Sequence, residues 1–229
     1  LQPLLGRKKV SIERLVSNFF VSQGYNEIIT YSFIDENDAD LIQNNKNKLK
    51  VSNPISQNMN VMRPSLWPGL LSTYIKNYKN GKSDQKIFEI GSIFLTDSKG
   101  KVDEVNQVSG LISGNFNSIH WDRKPEPLNF FDLKGDLEKL SSSLKLEFSF
   151  QEMSNPFLHP GKTASITLNN KKMGYLGALH PNIINLKGLK NEVYLFSLNL
   201  VPLDLNDHIK YKEFSRFPSS QRDLAFVVD

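Results

Sequence analysis

The chain has 229 residues, 39% hydrophobic and 23% charged, enough to bury a sizeable core in one large globular domain or one domain plus a fragment. A net charge of +4 permits contact with nucleic acid without demanding it. The absence of cysteine excludes disulfides and thiolate chemistry and fits a cytoplasmic protein, and with no apolar run of about 18 residues and no signal-peptide pattern neither a membrane span nor export is expected.

From Lys8 to Gln23 the residues Ile12, Leu15, Val16, Phe19 and Phe20 recur at helical spacing, which predicts an amphipathic helix ended by Gly24. Asn26 to Phe33 then reads as one strand. Asp35 is placed to cap a short helix through Ile42, and Lys50 to Pro54 as a short strand. Pro68 suits the first turn of a helix reaching Lys79, with Leu70, Leu71, Tyr74, Ile75 and Tyr78 inward. Two strands, Gln85 to Leu95 and Val105 to Ser113, flank a turn at residues 97–100. An irregular loop at 115–129 carries Trp121 and Arg123. Phe131 to Leu144 is the third long helix, followed by a strand at Leu146 to Gln151.

The stretch from Leu158 to Pro181 reads as a hairpin at the centre of the fold. Ala164, Ile166 and Leu168 alternate with polar residues, Asn169-Asn170 tolerates the positive φ of a tight turn, and a His-Pro pair closes each end. A short helix or turn at 182–189 and a strand at Glu192 to Leu200 follow. Residues 203–212 are a polar linker, and Arg222 to Val228 starts a new strand. Strands outnumber helices, which implies an α+β fold: an antiparallel sheet with helices packed on it.

Few residues invite a chemical role. His159 and His180 stand at the hairpin ends, but with no Asp or Glu between them a zinc site lacks further ligands, and satisfied turn histidines are the simpler reading. Asp132 and Asp136 would share a solvated helix face opposite the leucines. Glu89, between Phe88 and Ile90, needs a partner if it points inward. Arg63 could pair with a carboxylate or a phosphate, or cap its loop. Trp67 and Trp121 read as core or interface anchors. There is no phosphate-binding glycine loop and no nucleophile elbow.

Several segments, GYNEIITYSF, NPISQNMNVMRPSLWPGLL, KIFEIGSIF, FFDLKGDLEKL, LHPGKTASI, GYLGALHP and FSRFPSSQRDLAFVVD, together resemble the bacterial phenylalanine–tRNA ligase β-subunit family, in family order along the whole chain. The resemblance implies a class II aminoacyl-tRNA synthetase-like module at residues 1–205. A linker and the opening strand of a ferredoxin-like anticodon-binding domain would occupy residues 206–229. The lack of an initiator Met, and a stop just after a strand-like run, lead us to expect a piece of a longer chain. An active class II enzyme holds ATP with arginines in its second and third motifs. Here the corresponding strands, residues 86–95 and 193–200, contain none, although Arg63 stands where an active relative would have a strand-end arginine.

The resemblance therefore implies a module with no catalytic, cofactor-binding or metal-binding residues of its own. It would scaffold an α subunit in an α2β2 heterotetramer, where that subunit uses ATP and Mg²⁺ to charge tRNA(Phe). The first helix and the strand after it correspond to the first class II motif, which makes Ile12, Leu15, Phe19 and Phe20 the candidate subunit interface; the same face could equally pack on its own sheet. A free-standing class II-like enzyme activating an amino acid with ATP, and an RNA-binding module, are the alternatives.

Overall fold

The computed structural model describes residues 11–42, 48–97, 99–116, 121–122, 124–200, 222–225 and 227. The first half runs α1 (Ile12–Ser22), β1 (Asn26–Glu27), β2 (Phe33–Ile34), α2 (Glu36–Ile42), β3 (Val61–Met62), α3 (Trp67–Lys79), β4 (Gln85–Thr96) and β5 (Val102–Ser113). The second half runs α4 (Phe130–Ser143), β6 (Phe148–Glu152), β7 (Leu158–Leu168), β8 (Lys171–Leu179), α5 (Pro181–Leu186) and β9 (Val193–Asn199).

Seven strands form one sheet in the order β1-β4-β5-β9-β8-β7-β6, and β2 pairs with β3 separately. Every pairing in the large sheet is antiparallel except β1 with β4, which is parallel. The middle strand β9 reads VYLFSLN and is buried on both faces, as a strand covered from both sides must be. Alternate side chains divide the core accordingly. Phe88, Ile112 and Phe196 meet α1 and α4 on one face, whereas Ile87, Leu111 and Leu195 meet α3 and α5 on the other. Gly174 sits where β8 presses on β9: a Cβ there would overlap the Ser197 carbonyl.

Local chemistry sets most of the ends. Ser11 Oγ caps α1 by accepting from Arg14 N, and Gly24 closes that helix at φ +82°. Asp35 Oδ1 accepts from Asn37 N at 2.7 Å at the start of α2, and Pro68 lies in the first turn of α3. Asn129 and Asp132 form a reciprocal capping box on α4. Asn169 and Asn170, at φ +50° and +61°, make the tight turn between β7 and β8.

Four expectations are corrected. The strand over 26–33 is broken into β1 and β2 because Thr30, between them, is turned inward to a buried carboxylate. Lys50 makes only an isolated bridge to Val61, not a strand. The β7–β8 hairpin is off-centre; β9 holds the middle because β5 and β8 both pair with it. The described residues 222–225 and 227 carry no strand, since no described neighbour takes up their backbone groups. The start of the first helix at Lys8, Arg123, the linker and the boundary at 205/206 lie outside the described residues.

Candidate functional site

The interface candidates on α1 divide once placed. Phe20 is buried in the chain's own core, its ring stacked on Phe196 at a 5.1 Å centroid distance and flanked by Tyr25 and Phe88. A side chain so enclosed has no surface to offer a partner. Ile12, Leu15 and Phe19 are partly buried against the same core and keep only their outer edges free.

Larger apolar exposure occurs just downstream. Ile29 is 94% and Tyr31 72% exposed, on either side of an inward-facing Thr30. The segment is held rather than loose. Ile28 N donates to Phe88 O at 2.8 Å and Arg63 N donates to Ser32 O at 2.8 Å, pinning both ends. Between them, Glu89 Oε1 accepts from Thr30 N at 3.1 Å and Glu89 Oε2 from Thr30 Oγ1 at 2.7 Å.

Glu89 is only 2% exposed, so its charge requires a partner. Arg63, 5% exposed at the end of β3, provides it through Nη1 at 2.6 Å. The guanidinium also donates from Nε to Ser92 O at 2.9 Å and from Nη1 to Thr30 Oγ1 at 3.2 Å. Gly91 makes room for it, since a Cβ there would overlap Nη2; likewise a Cβ on Gly69 of α3 would overlap Thr30 Oγ1. The two alternatives left open for Arg63 and Glu89 thus resolve into one buried pair, and Arg63 faces a carboxylate, not a phosphate. With Thr30 held inward, its neighbours Ile29 and Tyr31 are left exposed on either side.

Sequence reading missed this pair of exposed residues. In NEIITYSF both parities carry apolar or β-branched side chains, so alternation alone does not say which set is buried. The usable signal was the lone carboxylate Glu89, which had to attract an arginine and a hydroxyl from somewhere.

A second buried charge corrects the view of α4 as having a solvated acidic face. Asp136 is buried, with Tyr25 Oη donating to its Oδ2 at 3.0 Å and Lys86 Nζ 3.4 Å away. Asp132 instead belongs to the capping box. Burial pushes the Tyr25 phenol well above its ordinary value of 10.0, and the Asp136 carboxylate adds to the shift. The folded chain therefore keeps this proton at a pH where the unfolded chain releases it. Stability from this group is whole below about pH 10 and is lost as the pH rises further. Tyr25→Phe is expected to make urea unfolding less sensitive to alkali above about pH 10, while costing about 1–2 kcal/mol near neutrality because Asp136 loses its donor. Tyr175 is raised by burial too, so the alkaline decline should be lessened rather than abolished.

His159 and His180 are turn and cap residues. His159 Nδ1 accepts from Gly161 N at 3.0 Å, and His180 Nδ1 caps α5 by accepting from Asn182 N at 3.2 Å. Trp67 is a core anchor whose Nε1 donates to Phe196 O at 2.9 Å; Trp121 is exposed. Among the described residues, no three His, Cys, Asp or Glu side chains converge on one point. ATP and Mg²⁺ do not fit the strands that would hold them. β4 and β9 carry no arginine, the single lysine of β4 is engaged by Asp136, and both faces of β9 are filled by packed side chains. A cleft of about 480 Å³ beside α4, lined by Leu128, Phe130 and Phe131, is mainly apolar, and its Lys162 is paired with Glu192 at 2.5 Å.

This arrangement of sheet and helices is that of the class II aminoacyl-tRNA synthetases: it is similar to pyrrolysyl-tRNA synthetase from Desulfitobacterium hafniense, with a TM-score of 0.64 at 12% identity over 83% of this chain and 66% of that one. Residues 6–200 match the family described as phenylalanyl tRNA synthetase beta chain CLM domain, and the chain belongs to that family. It is 39% identical over 223 residues to the phenylalanine–tRNA ligase β subunit of Legionella pneumophila strain Lens, covering 96% of this chain and 28% of that subunit. The β subunit of Hahella chejuensis is 37% identical over 225 residues, again covering 28% of its length. The chain thus spans just over a quarter of the curated relatives it matches. Among the described residues, no helix is long and apolar enough to cross a membrane.

Proposed function

We propose that this chain is the synthetase-like module of a phenylalanine–tRNA ligase β subunit, and that its task is to dock the α subunit rather than to activate an amino acid. The single observation that carries the reading is the strip 28–32. Two large apolar side chains face outward on a backbone fixed by a buried ion pair, which is what a preorganised binding surface requires. Ile12, Leu15 and Phe19 offer their free outer edges on α1 as further candidates for the interface, and Phe20 supports them from the core. The α subunit supplies the groups that bind ATP and Mg²⁺ and transfers phenylalanine to tRNA(Phe) in a cytoplasmic α2β2 assembly.

An active module would have to hold a triphosphate and a developing oxyanion charge, and β4 and β9 present no guanidinium for either. Phenylalanine-dependent ATP–pyrophosphate exchange by this chain alone is therefore expected at the level of the protein-free control. Exchange that rises with chain concentration and requires an amino acid would overturn the scaffold reading in favour of a free-standing enzyme.

A further inference from the structure

A groove between α3 and α5 has no role in the docking account. Two hollows of about 300 and 470 Å³ share Ile75, Lys79 and Lys187 in their walls and so form one channel. Tyr78 and Lys190 line its wider end. Asp38, the one carboxylate among the described lining residues, is already matched by Lys187 at 3.5 Å. Lys79 and Lys190 form no ion pair with any described residue, and nor do Lys76 and Lys82 at the margins. Several lysines elsewhere are taken up by acids, as Lys86 is by Asp136 and Lys134 by Glu138 at 2.6 Å.

Lys76 and Lys79, in the last turn of α3, offset that helix's negative end. That explanation does not reach the opposite wall. Lys187 and Lys190 follow a helix of only six residues, whose terminus holds much less partial charge. Lysines therefore stand on both sides of an apolar floor, and Lys190 is charge that neither a helix end nor Asp38 accounts for.

We propose that this groove binds the sugar–phosphate backbone of an RNA strand. Lysines on two walls suit a linear polyanion running between them, and the lining offers no Asn, Gln or Arg for bidentate contacts with bases. The contact positions RNA without reading its sequence. The choice of RNA over an acidic polypeptide rests on the proposed place of this chain in a tRNA ligase.

The test uses Lys79→Gln with Lys190→Gln in the full-length β subunit assembled with its α subunit. Binding of tRNA(Phe) is measured by filter retention across a salt series, with ATP–pyrophosphate exchange followed in parallel. The double variant is expected to bind about 10-fold more weakly at low salt, and the slope of log affinity against log salt should fall by about 1.4–1.8, from 0.7–0.9 per phosphate contact. Exchange should be unchanged, and Lys→Arg at both positions should restore binding. Wild-type affinity and slope in the variant would overturn the groove alone. Loss of α-subunit association with tRNA binding intact would assign the groove to an acidic protein surface and overturn it too. A wild-type assembly that neither exchanges nor binds tRNA would remove the proposed function, and the groove's RNA with it.

Discussion

Glu89→Ala is expected to destabilise the chain by about 3–5 kcal/mol, the range for breaking a buried ion pair by removing one partner. The Arg63 guanidinium would remain 5% exposed with only the Ser92 and Thr30 oxygens as acceptors, and Thr30 would lose both of its carboxylate contacts. Urea unfolding of the variant measures the loss; a value under about 1 kcal/mol would mean that the pair does not hold the fold together. Replacing both partners by apolar residues of similar size, Arg63→Met with Glu89→Leu, should be close to neutral, because no unpaired charge is left behind. That double variant still lacks the acceptors that turn Thr30 inward. It is therefore expected to stay folded and bind the α subunit poorly, which separates the pair's positioning role from its part in stability.

How much was legible in the sequence depended on whether local chemistry or distant partners decide an element. Gly24, Asn169-Asn170, Asp35 and Pro68 act within their own turns, and each ends or starts an element where local rules place it. The amphipathic pattern of α1 likewise survives, but it could not tell Phe20, in the core, from Phe19 at its edge; that choice was made by Phe88 and Phe196, far along the chain. The same limit explains Asp136. Its position on the helix suggested solvent, and its burial follows from Tyr25 and Lys86, which tertiary packing brings to it. Thr30 is the sharpest case. Propensity favours a continuous strand over 26–33, yet a carboxylate 59 residues later in the chain captures the threonine and interrupts the ladder. The exposed strip is therefore invisible without Glu89 and Arg63 in place: the sequence says only that Glu89 needs a partner if it points inward, and leaves Arg63 several roles.

Ile29→Asp with Tyr31→Asp is expected to cause the largest functional loss, because two anchors worth about 2 kcal/mol each would be replaced by charges that must be desolvated. Both side chains are exposed, so folding stability should change by no more than about 0.5 kcal/mol. The deciding measurement is the solution mass, by light scattering after size exclusion, of this chain mixed with a phenylalanine–tRNA ligase α subunit. The wild-type chain is predicted to elute as a complex, and the double variant as separate subunits with affinity reduced by about 100-fold or more. A complex that forms equally well with the variant would contradict the account, because the strip held by Arg63 and Glu89 would then not be the docking surface.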